Sequence, residues 1–187
     1  MSLDFQLETQ DWLQLIEAKS YLGHEFLMWV WYQSEHGDRE VKFGKYTMRF
    51  WIDDRLLLEN TRFRGQTHLY VGGLPSKSQE VALGLADGRL VKELRIGAHI
   101  EGLGDFSTIL KGEKLEPQML RLPIVPPGET DSLERRMEQM EVFSDGLDAL
   151  FENFMSQRVA SDWDEKILLQ IRNWVANRCE EKVSWIH

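Results

Sequence analysis

Residues 26–32 form an unbroken run of seven apolar or aromatic side chains, Phe-Leu-Met-Trp-Val-Trp-Tyr. The pattern around this run predicts a helix over 18–34 that ends before Gly37, and its C-terminal half is apolar almost all round. A helix that is apolar on every side is buried on every side. We therefore expect it to pack between a sheet and another helix, or alternatively to form an interface with another protein. The residues that would form such an interface are Phe26, Trp29 and Val30.

The period of the apolar residues changes along the chain, and the order of the changes predicts the fold class. Residues 1–36 have helical spacing. Residues 37–122 mainly alternate with a period of two, interrupted by one short helix, which predicts several short antiparallel strands. Residues 129–180 have helical spacing again. This order predicts a single α+β domain over 1–187, with an antiparallel sheet flanked by N-terminal and C-terminal helices.

Turn and cap signals predict where several of these elements begin and end. Asp53-Asp54-Arg55 has the composition of a turn between two strands. The S-x-x-Q pattern at 76–79 is a capping box for the short helix, which we expect to stop at Gly88. A hairpin is predicted around 111–114.

Length and composition restrict the class of protein. A chain of 187 residues is long enough to bury a substantial core in one domain. It contains no apolar run near the ~20 residues that span a bilayer, and its first residues lack the pattern of a signal peptide. The single cysteine, Cys179, rules out an internal disulfide. We expect a cytoplasmic protein that does not enter a membrane.

The formal charge of −9 is unevenly distributed. Residues 129–165 carry 3 basic and 11 acidic side chains, and residues 37–128 carry 14 basic and 12 acidic side chains. The central segment is therefore mildly basic, whereas the C-terminal helical segment is strongly acidic. Such an acidic segment is most simply a solvated helix face, and the alternative is a surface that binds a basic partner.

Patterns for catalysis or metal binding are not found in the sequence. His24-Glu25 lacks the second histidine that a helical zinc site requires four residues later. Asp53-Asp54 fits a turn better than a carboxylate pair for metal-assisted hydrolysis. Ser76-Lys77-Ser78 follows two glycines without the remainder of a phosphate-binding loop. We therefore predict a protein that is not an enzyme and has no cofactor and no metal. Hydrolysis at Asp53-Asp54, or at the histidines, is kept as the weakest hypothesis.

One constellation predicts contact with nucleic acid. Alternate residues of a strand share a face, so Arg49 lies with Trp51, Arg62 with Arg64, and His68 with Tyr70. If the strands are neighbours, one sheet face is basic with interleaved aromatic rings, which suits phosphate contacts and stacking. The alternative is an ordinary solvated face of a sheet that is buried on one side only. The candidate residues are Arg49, Trp51, Arg62, Arg64, His68 and Lys77.

The stretch YLGHEFLMWVWYQSE, residues 21–35, is similar to the pattern L-G-x-E-F-L-x-W-L-W-x-x-S-E of RdgC-like recombination-associated proteins. The order of the later elements is similar too, and the chain resembles the C-terminal part of longer members. The resemblance implies non-enzymatic binding of double-stranded DNA without sequence specificity, by a homo-oligomer linked to homologous recombination. The resemblance also implies dimers that close a ring with a basic lining. Because this chain is shorter than such proteins, ring closure is not carried over to it.

Two hypotheses therefore follow. The first is a DNA-associated, recombination-linked protein that uses the basic sheet face. The second is a protein-interaction module, or a subunit of a larger assembly, that has an acidic helical surface and does not bind nucleic acid.

Overall fold

The computed structural model describes residues 22–60, 67–71, 78–86 and 88–180. The predicted Arg62, Arg64 and Lys77 lie outside these residues. The elements are α1 (22–36), β1 (Glu40–Phe43), β2 (Tyr46–Glu59), β3 (Thr67–Val71), α2 (Gln79–Ala86), β4 (Leu90–Ile100), β5 (Gly104–Lys111), β6 (Gln118–Arg121), α3 (Leu133–Arg158), a π-helical turn (Trp163–Ile167) and α4 (Leu168–Glu180).

The sheet is antiparallel throughout, as predicted. Its strand order is β1-β2-β4-β5-β6, and β3 pairs with the second half of β2. The two central strands, β2 and β4, are 14 and 11 residues long, because each pairs with its neighbours over most of its length. With helices at both ends of the chain, the α+β prediction is confirmed.

The predicted turn at Asp53-Asp54-Arg55 is wrong. These residues lie inside β2, where the pairing with β4 shifts register between Ile52 and Leu56. A β-bulge accommodates extra residues while the strand continues, so the sheet absorbs a segment whose local composition favours a turn. The predicted hairpin around 111–114 is confirmed, since β5 and β6 pair on either side of it.

Helix α1 is buried against both the sheet and α3, as its all-round apolar character predicts. Its His24 Nδ1 lies 2.7 Å from the carbonyl oxygen of Val91 in β4. On α3, the Phe154 ring lies 5.4 Å from the ring of Phe26. Phe26, Trp29 and Val30 are all buried in the core of this chain. Their prediction as an interface with another protein is therefore corrected: packing within the chain already covers them.

One hydrophobic cluster joins the sheet to the helices. Phe106 of β5 stacks on Phe143 of α3, with ring centroids 4.9 Å apart. On the C-terminal helix, the Trp174 ring meets Trp31 of α1 edge to face at 5.3 Å. None of the described helices combines the length and the apolar character needed to cross a membrane.

Candidate functional site

The sheet face away from the helices is the predicted nucleic-acid surface. On β2, Met48, Phe50 and Ile52 are buried, whereas Arg49 and Trp51 are exposed. The prediction that Arg49 and Trp51 share an exposed face is therefore confirmed. We call this surface, which also carries Arg95, His99 and Lys111 on the neighbouring strands, the outer sheet face.

Cross-strand ion pairs neutralise several cations of the outer sheet face, whereas Lys42 of β1 and Arg121 of β6, which register places on the same face, form no ion pair with a described residue. Arg49 pairs with Glu40, its register partner on β1, at 2.5 Å. Glu93 of β4 forms ion pairs with both Arg55 and Lys111, at 3.3 and 3.4 Å. Arg95 pairs with Asp54 at 2.9 Å, and Lys92 pairs with Glu59 and Glu113 at 3.1 and 3.6 Å. The Nδ1 atom of His99 lies 2.6 Å from the Asp105 carboxylate. The face is therefore mixed in charge rather than basic, in part because antiparallel register places a carboxylate opposite Arg49, Lys111 and His99.

Trp51 packs onto the backbone of the neighbouring strand. A Cβ atom at Gly97 of β4 would lie 2.3 Å from the indole nitrogen of Trp51, so only glycine leaves room for the ring there. The Trp51 side chain is still 36% exposed. It therefore covers β4 and keeps part of its surface in contact with solvent.

The structure does not bring His68 beside Arg49 and Trp51. His68 lies in β3 opposite Leu58 in register, whereas Trp51 lies seven residues earlier along β2. At the rise of an extended strand this separation is roughly 20 Å. The six-residue constellation predicted from alternation is thus reduced, among the described residues, to the pair Arg49 and Trp51.

Three residues in the described part of the RdgC-like segment, residues 22–35, have structural roles. A Cβ atom at Gly23 would lie 1.7 Å from the backbone oxygen of Gly112, so α1 meets the β5–β6 connection at a contact between two glycines. Glu25 accepts from Arg158 Nε of α3 at 2.8 Å. Trp29 donates its indole N–H to the Gln157 side chain at 3.0 Å. These residues hold α1 against the rest of the fold.

An exposed apolar surface lies on the N-terminal half of α3. Leu133, Met137 and Met140 follow each other at steps of four and three, so they lie on one side of the helix, and they are 74%, 61% and 49% exposed. We call these three residues the α3 stripe. Their spacing was part of the predicted helix pattern, but periodicity alone does not tell which part of an apolar line is covered.

The same line becomes covered further along α3. Continuing the steps of four and three reaches Leu147, Phe151 and Phe154. Leu147 and Phe154 are buried, and the Phe151 ring meets Phe26 of α1 edge to face at 5.1 Å. The α3 stripe is therefore the part of this apolar line that α1 does not cover.

A row of carboxylates runs beside the α3 stripe. Its members repeat at the same steps of four and three and are all exposed; they are Glu134, Glu138, Glu141, Asp145, Asp148 and Glu152. We call them the acidic row. No ion pair joins them to another described residue.

The cations of α3 are bound to other carboxylates. Arg135 pairs with Glu129, and Arg136 donates from Nε to Asp131 at 2.7 Å. The hydrogen bond from Arg136 holds the pKa of Asp131 below its usual value. Because these arginines pair with other carboxylates, no described cation neutralises the negative charge of the acidic row.

The described residues contain no cluster of three or more His, Cys, Asp or Glu side chains that could hold a metal ion. Asp54 is bound to Arg95, and its neighbour Asp53 lies in the same strand. The Asp54 carboxylate is therefore already paired with a cation, and the hydrolase hypothesis stays an untested prediction.

Comparison of the chain with protein-family models, with curated proteins and with solved structures finds no match. The resemblance to RdgC-like proteins therefore stays a prediction from residues 21–35.

Proposed function

We propose that this chain is a non-enzymatic protein-interaction module that binds a basic amphipathic helix of another protein in the cytoplasm. The observation that carries the proposal is the α3 stripe, a line of three large apolar side chains that α1 leaves uncovered. An exposed apolar surface rimmed by polar groups is typical of an interaction site.

The packing of α1 against α3 provides a template for the partner. Against the covered half of the line, α1 presents aromatic and aliphatic side chains, with Phe26 between Phe151 and Phe154. A helix with an apolar face would continue this packing onto the α3 stripe. Binding of an amphipathic helix to an apolar surface is a common recognition mode.

The acidic row selects the charge of that partner. Six carboxylates beside the apolar line favour lysine or arginine next to the partner's apolar face, and they repel an acidic helix. They also disfavour pairing of this surface with a second copy of itself. The proposed assembly is therefore with a different, basic protein.

Burial of the α3 stripe gives an order of magnitude for the affinity. Full burial of a Leu or Met side chain contributes about 1.5–3 kcal/mol. The three residues are exposed by roughly half to three quarters, so together they contribute about 3–5 kcal/mol. Because association itself has a substantial entropic cost, charge pairing must add to this, and we expect binding of micromolar order that weakens with salt.

A peptide titration tests the proposal. The probe is a fluorescent synthetic amphipathic helix of leucine and lysine, with a counterpart that has glutamate in place of lysine. We expect saturable binding of the lysine peptide only, and about a tenfold loss in the double variant Met137→Ser, Met140→Ser. The matched control is Leu169→Ser on α4, an exposed apolar residue away from the α3 stripe. Equal binding of both peptides, or an unchanged affinity in the double variant, would refute the proposal.

Duplex DNA binding is the second candidate. The common exposure of Arg49 and Trp51 on one face supports it, together with the resemblance of residues 21–35, whereas the ion pair between Arg49 and Glu40 opposes it. A salt titration with a labelled duplex tests it directly. If it is correct, Arg49→Glu lowers the affinity and the matched Arg136→Glu on α3 does not; no binding at low salt would eliminate it.

A further inference from the structure

A cleft lined in part by α1 has the properties of a small-molecule site. It lies between α1, α2, the start of β4 and α4, and its volume is about 530 Å³. Ligand pockets commonly have this size and a mainly apolar lining with few polar groups. The apolar part of the wall is formed by Met28, Leu85, Leu90, Val91, Leu168, Ile171 and Val175.

Two arginines give the cleft its charge. Arg89 and Arg172 both line it, and neither makes an ion pair or a side-chain hydrogen bond with a described residue. The carboxylate in the lining, Glu25, is already bound to Arg158 at 2.8 Å. Among the described residues, the cleft therefore has two cations without an ion-pair partner and one neutralised anion.

The fold positions Arg89 at this cleft. Helix α2 ends at Ala86 and is terminated by Gly88, whose φ of +81° is readily adopted by glycine. The Gly88 N–H donates to Leu85 and the Arg89 N–H donates to Gly84, both at 3.0 Å. This pair of bonds is the Schellman arrangement, and it confirms the predicted stop at Gly88. It also fixes the backbone of Arg89 next to the helix end.

The Arg89 side chain has an unsatisfied donor. Its Nε is buried without a hydrogen-bond partner, and a buried donor of this kind in a charged group is costly. A bound anion on the same guanidinium would compensate part of that cost. Guanidinium groups bind carboxylates in bidentate geometry.

We infer that this cleft binds a small amphipathic carboxylate, with an aliphatic body against the apolar wall and its carboxylate at Arg89 and Arg172. The inference is independent of the proposed protein-binding function, because no lining residue of the cleft belongs to α3. It names a chemical class, medium-chain aliphatic carboxylic acids.

Isothermal titration calorimetry with decanoate tests the inference, and decanol is the uncharged control. We expect saturable binding of decanoate and about tenfold weaker binding of decanol. Arg172→Gln should lower the affinity for decanoate about tenfold and leave that for decanol unchanged. Arg121→Gln, an exposed arginine on β6, is the matched control and should bind both ligands like the wild type.

A second variant keeps the inference falsifiable if Arg172→Gln does not fold. Ala176 is exposed and lines the cleft. The variant Ala176→Phe should therefore fill part of the cleft volume and lower the affinity for both decanoate and decanol. The inference is overturned if decanoate gives no saturable heat, if decanol binds as tightly as decanoate, or if decanoate binds Ala176→Phe as tightly as the wild type.

Discussion

The contact between Gly23 and Gly112 gives the sharpest prediction about stability. A Cβ atom at position 23 would lie 1.7 Å from the Gly112 oxygen and 2.7 Å from its carbonyl carbon. Both atoms belong to the backbone, so no side-chain rotation relieves the overlap. Gly23→Ala therefore forces α1 or the β5–β6 connection to move by roughly 1.5 Å to reach ordinary van der Waals separation.

The magnitude follows from two opposing effects. Overpacking of a well-packed core typically costs about 1–3 kcal/mol, and a backbone clash belongs at the upper end of that range. Alanine regains up to about 1 kcal/mol of helix propensity over glycine. The net loss is therefore about 2 kcal/mol, which corresponds to a decrease of about 4–8 °C in Tm for a chain of this size.

Urea and thermal unfolding followed by circular dichroism measure this loss. The matched control is Gly84→Ala in α2, the same change inside another helix. There the nearest atom to the new Cβ is the Leu58 Cδ1 at 3.1 Å, the end of a flexible side chain. We expect the control to change stability by less than about 1 kcal/mol. A Gly23→Ala variant as stable as the wild type would refute the reasoning.

Two further changes test the core and the outer sheet face. Phe143 is buried and stacks on Phe106, so Phe143→Ala should lower the free energy of unfolding by about 3–5 kcal/mol in urea titrations; a loss below about 1 kcal/mol would contradict the packing described. The hydrogen bond to Glu59 raises the pKa of Lys92 above 10.5. A group whose pKa is raised by folding contributes stability below its unfolded pKa and loses it as pH rises through the folded value. The stability difference between wild type and Lys92→Met should therefore be constant from neutral pH up to 10.5, where Glu59 and Glu113 stay ionised, and decrease above it; a difference that instead grows at high pH would contradict the pairing.

Much of the fold was predictable because burial leaves a local signature in the sequence. The run 26–32 is apolar all round, and α1 packs on both the sheet and α3. Alternation along 48–52 correctly separated buried from exposed residues in β2. The error at Asp53-Asp54-Arg55 arose because turn composition is local, whereas the pairing that extends β2 comes from β4, about forty residues away in sequence.

The charge of the outer sheet face could not be predicted from alternation. Alternation tells which residues of one strand share a face, but register decides which residues of other strands lie beside them. Glu40 faces Arg49 only because β1 pairs with β2 in one particular register. The α3 stripe was missed for a similar reason: helical periodicity marks an apolar line, and the reach of α1 decides where that line becomes exposed.

Hydrogen–deuterium exchange with and without the leucine–lysine peptide tests the central claim, that the α3 stripe and the acidic row form the binding surface. The amides of residues 133–141 report on the surface itself, and those of 49–51 report on the outer sheet face. We predict slower exchange on peptide binding in 133–141 and no change in 49–51. Protection confined to the outer sheet face, or no protection in α3 at a saturating peptide concentration, would contradict the claim.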